Sequence, residues 1–224
     1  MNNLTYKNIK INIDNTAKIV LDQFKIINDM LNNNPDDNNT KRINSNEILI
    51  DNYEISIRKE INTTIVLYSP KASDLRKIIA YYDITGYLER IGDLLLNISE
   101  FIVKVDFNSD VFKNTFPMLV KMLKLIENMT KNAIFATICK DRILAHKTIL
   151  DDDEIDNLNI QIFLLLLKTE NKDKLDSILS INSIASNMER IGDNATNISE
   201  AAIYIIEGID IKHCINKESY FENL

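Results

Sequence analysis

The chain has 224 residues, 45% of them hydrophobic and 26% charged, with a formal net charge of −7 and only 4 Gly and 3 Pro. Such acidity is the opposite of the basic stripe that nucleic-acid binding requires, so no nucleic acid is expected as a partner. The scarcity of Gly excludes a fold rich in hairpins or βα turns and favours long helices with few connections.

The opening stretch "MNNLTYKNIKIN" is too polar for a signal peptide. From about Leu4 to Leu31, apolar residues return every three or four positions (Ile19, Val20, Phe24, Ile27), which predicts a first helix. The polar run Asn32 to Asn46 holds the first proline and reads as a loop. A second helix is expected from Ser45, a good cap, to Tyr68. "SPKASD" turns the chain at Pro70, and a third helix follows from Ser73 or Asp74 to about Lys104. "VDFNSD" (Val105 to Asp110) reads as a joint. The pattern then restarts with a helix from about Val111 to the Thr148 region and another from Asp152 to Lys168. A "TENKD" turn leads to a last helix from Lys174 to about Glu207. The longest apolar run, Ile162 to Leu167, is too short to cross a bilayer, so the chain reads as cytoplasmic. Cys139 and Cys214 lack CxxC spacing and read as buried or idle thiols.

The last helix of each half carries the most specific signal. "LERIGDLLLNISE" (Leu88 to Glu100) and "MERIGDNATNISE" (Met188 to Glu200) agree at nine of thirteen positions. The expected fold is therefore all-α: two similar three-helix bundles, residues 1–106 and 107–224, with neighbouring helices antiparallel. On a wheel of about 100° per residue, Leu88, Ile91, Leu95, Ile98 and Ile102 gather on one side. Met188, Ile191, Ala195, Ile198 and Ala202 repeat this, and both sets belong to the core. Glu89, Asp93, Asn97 and Glu100 form a stripe on the outer or flanking face. Gly92 and Gly192, mid-helix where Gly costs about 1 kcal/mol against Ala, point to close approach by another helix. Tyr81, Tyr82, Tyr87 and Tyr204 fit bundle seams.

A lone line of carboxylates is usually a solvated face. Here each half has a second acidic pair on its preceding helix: Glu47 with Asp51, and Asp152 with Asp156. Glu47 precedes Glu89 by 42 positions and Asp152 precedes Glu189 by 37, so in antiparallel helices both doublets of a half fall near one level. Two carboxylates about 5 Å apart repel by roughly 3 kcal/mol at an effective dielectric near 20. Arg90 and Arg190 project about 100° away, so a bound cation is the better neutraliser. Oxygen-only ligands favour Mg²⁺, Mn²⁺ or Ca²⁺, with iron acceptable and zinc less natural.

With the doubled "ERIGD…NISE", the "SPKASDLRKI" turn (Ser69 to Ile78) and the acidic doublets, the chain resembles the PhoU family of phosphate-uptake regulators. The resemblance implies surface metal sites holding Fe, Mn, Mg or Zn at Glu47, Asp51, Glu89 and Asp93, and at Asp152, Asp156, Glu189 and Asp193. Asn97, Glu100, Asn197 and Glu200 match the motif's tail as supporting residues. It also implies a regulatory adaptor without catalysis that restrains phosphate uptake and starvation signalling. Its expected partners are a phosphate ABC transporter ATPase and a sensor histidine kinase, with a homodimer as a further assembly and membrane contact only through partners. The sequence departs from the family pattern in its longer, Asn-rich first loop and in "KTENKDKLDS", which stands where the second half would need a counterpart of "SPKASDLR".

Two other classes stand beside the adaptor. A di-metal carboxylate enzyme on a bundle typically uses Glu-x-x-His, but neither His146 nor His213 lies in such a pair. His146 reads as a surface or partly packed residue and His213 as inert. A metal-free structural bundle would use its acids for solubility alone. No GxxxxGK[ST] loop or Gly-rich dinucleotide turn is present, which argues against a nucleotide site.

Overall fold

The structure is a computed structural model that describes residues 3–169 and 175–211, with side chains placed from residue 7 onward. The "TENKD" turn, apart from Thr169, lies outside the described residues, as do His213 and Cys214. Among the described residues, seven helical segments follow one another: α1 (Asn3–Asn33), α2 (Asp37–Tyr68), α3 (Ala72–Ile102), α4 (Asp110–Cys139), α5 (Arg142–Leu150), α6 (Asp152–Leu167) and α7 (Leu175–Glu207). No strand occurs among the described residues, and the all-α architecture with a repeated three-helix plan is as expected. None of these helices is long and apolar enough to cross a membrane.

Two boundaries differ from the sequence expectation. The Asn-rich run is not a long loop: α2 begins at Asp37, eight residues before Ser45. The reason is local, because Asp36 takes an extended conformation and its carboxylate accepts from the Asn39 backbone N–H at 2.7 Å, satisfying a donor that the helix start leaves open. The fourth expected helix is interrupted. Lys140 adopts a left-handed backbone (φ 57°), ending α4, and the Asp141 carboxylate then caps α5 through the Leu144 N–H at 3.0 Å. Cys139, at that break, is exposed rather than buried.

The predicted core faces are where the periodicity put them. Leu88, Ile91, Leu95, Ile98 and Ile102 of α3 are buried, and so are Met188, Ile191, Ala195, Ile198 and Ala202 of α7. All but Ala202, which packs with Ala136, Ala145 and Ile149, join a cluster with Phe24 and Ile27 of α1, Ile50 and Ile57 of α2, Met122 and Ile126 of α4, and Ile155 and Ile162 of α6. Buried side chains from both repeats thus join in one apolar cluster. Equivalent helices of the two repeats also meet each other, α3 lying along α7 and α1 touching α4. The joint between repeats is pinned by the Asp106 N–H, which donates to Ser177 Oγ at 3.0 Å. Tyr81 is buried, whereas Tyr82, Tyr87 and Tyr204 are half-buried against the core, as seam residues should be. His146 is not at the surface. It is buried, and desolvation, followed by the Arg142 charge, lowers its imidazole pKa against the opposing pull of Glu207.

Candidate metal centre: paired carboxylates at two helix seams

The first repeat builds its cluster at the seam of α2 and α3, with α1 behind it. Glu47 is buried, 7% exposed, which places it inside the seam instead of on an outer face. Gln23 of α1, wholly buried, donates from Nε2 to Glu47 Oε2 at 3.2 Å, while Glu47 Oε1 is buried with no hydrogen-bond partner. Burying a carboxylate penalises its charged form. That desolvation, together with a hydrogen bond to Asp93 and the charges of Asp93 and Asp51, pushes the Glu47 pKa up to about 8. Glu89, half-buried on α3, is pushed up to about 7, first by burial, then by Asp93, Glu54 and Asp51, with Arg90 opposing. Asp51 and Asp93 are exposed at the outer edge. Asp51 and Asp93 therefore each act electrostatically on both Glu47 and Glu89.

Gly92 explains how Glu47 gets in. A Cβ at that position would lie 2.9 Å from Ile50 Cδ1 and 3.0 Å from Glu47 Oε2. The glycine does mark a close approach, as predicted, and the approaching group includes the carboxylate itself. The second repeat repeats the device: a Cβ on Gly192 would lie 3.0 Å from Asp152 Oδ1 and 3.5 Å from Ile155 Cγ2. Asp152 is half-buried, and Asp156 and Asp193 are exposed. The half-buried Glu189 has a raised pKa, caused by burial, then by Asp193 and Asp156, against Arg190. The two glycines thus match Glu47 with Asp152 and Ile50 with Ile155.

Three residues of the first cluster were not singled out in the sequence. Glu54 lies one turn beyond Asp51 and adds charge near Glu89. Arg58, one turn further, pairs with Glu54 at 2.8 Å and donates from Nη1 to the Tyr82 hydroxyl at 3.0 Å. The face-sharing of Asp51, Glu54 and Arg58 was the available signal for these two. Gln23, a polar residue between Val20 and Phe24 on an apolar helix face, was the available signal for the third. Arg58, Tyr82, Tyr87, Glu89, Arg90 and Asp93 line one groove of about 680 Å³. A second groove of about 520 Å³ runs between α3 and α7, lined by Arg90, Asp93 and Asn97 from one motif copy and Arg190, Asp193 and Asn197 from the other.

The motif's tail divides. Asn97 and Asn197 face the shared groove. Glu100 is exposed, whereas Glu200 is buried, at 6% exposure, so the symmetry of the sequence ends there. Among the described residues, no three His, Cys, Asp or Glu side chains are already gathered closely enough to grip a metal ion. In kind, the donors suit a hard cation: carboxylate oxygens throughout, with an unpartnered buried oxygen on Glu47.

The PhoU domain model matches residues 13–102 and 119–202, one match per repeat. The chain belongs to the PhoU family. A phosphate-specific transport system accessory protein PhoU homolog of Zymomonas mobilis is 32% identical over 161 residues, covering 71% of this chain and 67% of that protein. The homolog of Clostridium acetobutylicum is 29% identical over 178 residues, 77% of this chain and 80% of its own length. In fold, the chain is similar to the crystal structure of PhoU from Pseudomonas aeruginosa, with a TM-score of 0.84 at 22% identity, over 93% of this chain and 100% of that one. PhoU from Streptococcus pneumoniae superposes with a TM-score of 0.82 at 20% identity, over 92% and 97%.

Proposed function

We propose that the protein is a non-catalytic, metal-binding regulatory adaptor of a phosphate transport system. It works in the cytoplasm, where it restrains phosphate uptake and phosphate-starvation signalling by contacting a phosphate ABC transporter ATPase and a sensor histidine kinase. The curated relatives in the PhoU family are named as accessory proteins of phosphate-specific transport, which supports the transporter side of this reading.

One observation carries the metal side: carboxyls from α2 and α3 converge at Gly92, where two of them hold protons to about neutrality or above. Carboxyls in that condition are the ones a cation discharges, since the ion replaces the protons that burial, and after it mutual repulsion, retain. In this reading Glu47, Asp51, Glu89 and Asp93 hold one site, and Asp152, Asp156, Glu189 and Asp193 the other. The ions are Fe, Mn, Mg or Zn, the oxygen-only donors favouring the harder ones. Bound metal supplies positive charge, turning an acidic seam into a docking face that a partner reads differently when loaded.

The test has two arms. Metal content of chelator-free protein is measured beside variants carrying Asn or Gln at the four acids of either repeat. Pull-down with the ATPase subunit is then run with and without added divalent ion. Loss of metal in the variants and ion-dependent capture are expected; equal metal content in variant and wild type removes the metal claim. Absence of capture in both conditions removes the transporter claim.

A further inference from the structure

Away from the acidic seams, α1, α3 and the end of α4 enclose a concave opening of about 330 Å³ whose walls are Ile11, Ile13, Tyr81 and Ile138. Ile11 and Ile138 are about half exposed, at 45% and 53%, so this apolar surface is open to solvent. Lys7 and Lys10 line the same opening. Lys140 and Lys77 stand near enough that, after burial, their charges lower the pKa of Lys10. The one acid in the lining, Asp14, is paired with Lys18 at 2.6 Å. On a chain of net charge −7, two lysines in the lining of an apolar hollow, with Lys140 close by and Lys77 paired to Asp74 at 3.5 Å, make a local reversal of sign.

We propose that this hollow is a docking site for an acidic amphipathic segment of a partner protein, one that inserts bulky apolar side chains between Ile11, Tyr81 and Ile138 while its carboxylates meet Lys7, Lys10 and the nearby Lys140. The volume suits a peptide anchor, since apolar pockets of roughly 300 Å³ take one or two large side chains. Charge complementarity chooses the sign of the segment and steers its approach. Lys7 and Lys10 sit in the lining of the concavity itself, whereas an anionic bilayer reads a basic surface that lies in one plane. The site is on different residues from the carboxylate clusters, so it stands whether or not those bind metal.

The test uses the full chain and a fluorescent helical peptide with Leu and Phe on one face and Glu on the other. Micromolar binding is expected, weakening at least tenfold in Ile138→Asp and in Lys7→Glu/Lys140→Glu. Both variants alter exposed side chains, and circular dichroism verifies that they remain folded. A peptide with Lys in place of Glu should not bind. Equal affinity for wild type and folded variants overturns the proposal, as does binding of the Lys peptide. Co-sedimentation with phosphatidylglycerol vesicles without peptide binding assigns the surface to lipid and overturns it too. Self-association that is abolished by Ile138→Asp, again without peptide binding, assigns it to a second copy. Peptide binding that appears only after removal of residues 212–224 assigns the hollow to the chain's own end and likewise overturns a partner site.

Discussion

The two repeats set the same carboxylate pairs on the same helices, yet their surroundings differ. In the first, Glu47 is buried beside Gln23, with Glu54, Arg58 and Tyr82 extending the polar seam. In the second, Asp152 is shorter by one methylene and half-buried, and the matched positions of Glu54, Arg58 and Tyr82 hold Asn159, Phe163 and Asn182. Phe163 is exposed, so the guanidinium of the first repeat is replaced by an apolar ring turned towards solvent. Duplication therefore kept the acids and let their environment drift. The first site is the deeper, more strongly proton-holding of the two, and the second is the more open to water.

Removing the acids of one repeat at a time sharpens this contrast most. Substituting Glu47, Asp51, Glu89 and Asp93 by their amides is expected to abolish metal uptake by the first repeat and leave that of the second, with mirrored results for Asp152, Asp156, Glu189 and Asp193. Metal analysis of each variant reads this directly.

Next in size is a pH effect on metal-free protein. A carboxyl that keeps its proton to pH about 8 in the fold, but loses it near pH 4.5 in the open chain, binds more protons folded than unfolded across that window. Stability should then fall as pH rises from about 5 to 8, by on the order of a few kcal/mol for Glu47 and Glu89 together. Glu47→Gln should flatten the profile markedly and Glu189→Gln much less, as measured by denaturant unfolding at a series of pH values. A profile equally flattened by both would erase the difference between the sites.

The glycines provide a third comparison. Alanine at either position gains about 1 kcal/mol of helix propensity. At Gly92 the new methyl meets both Ile50 and the buried Glu47, so Gly92→Ala should be destabilising by about 1–3 kcal/mol net. At Gly192 the new methyl meets the end of the half-buried Asp152 side chain at 3.0 Å and Ile155 only at an ordinary 3.5 Å, so Gly192→Ala should be less destabilising than Gly92→Ala. Thermal melts without metal decide between them. The smallest effect is expected from Arg58→Ala: its ion pair with Glu54 is partly exposed, so the loss should be about 1 kcal/mol or less, with no counterpart on mutating Phe163.

Much of this organisation was legible beforehand, for physical reasons that differ by residue. The α3 and α7 faces could be read because a 3.6-residue period and a repeated motif reinforce each other, and burial followed the wheel at every core position from Leu88 to Ile102. The start of α2 was hidden because Asn-rich sequence has low helix propensity, and a capped helix in contact with its neighbours can override that. The break at Lys140 was hidden because left-handed backbone is normally announced by glycine, and this one is not. Glu200 shows where repetition misleads: its sequence copy Glu100 is exposed, but the second repeat folds over Glu200. Gln23 needed the third dimension, since nothing along α1 reveals that Glu47 comes to it.

The groove where α3 lies along α7 links what would otherwise be separate centres. Arg90 tempers the charge of Glu89 and Arg190 that of Glu189, and both guanidiniums share one crevice with Asp93 and Asp193. If the proposed ion binds Asp93, its charge would alter the field felt by Arg190 and Asp193, which line the same crevice. Occupancy on one side would then be felt on the other, and thermodynamic linkage would make that coupling run equally in both directions.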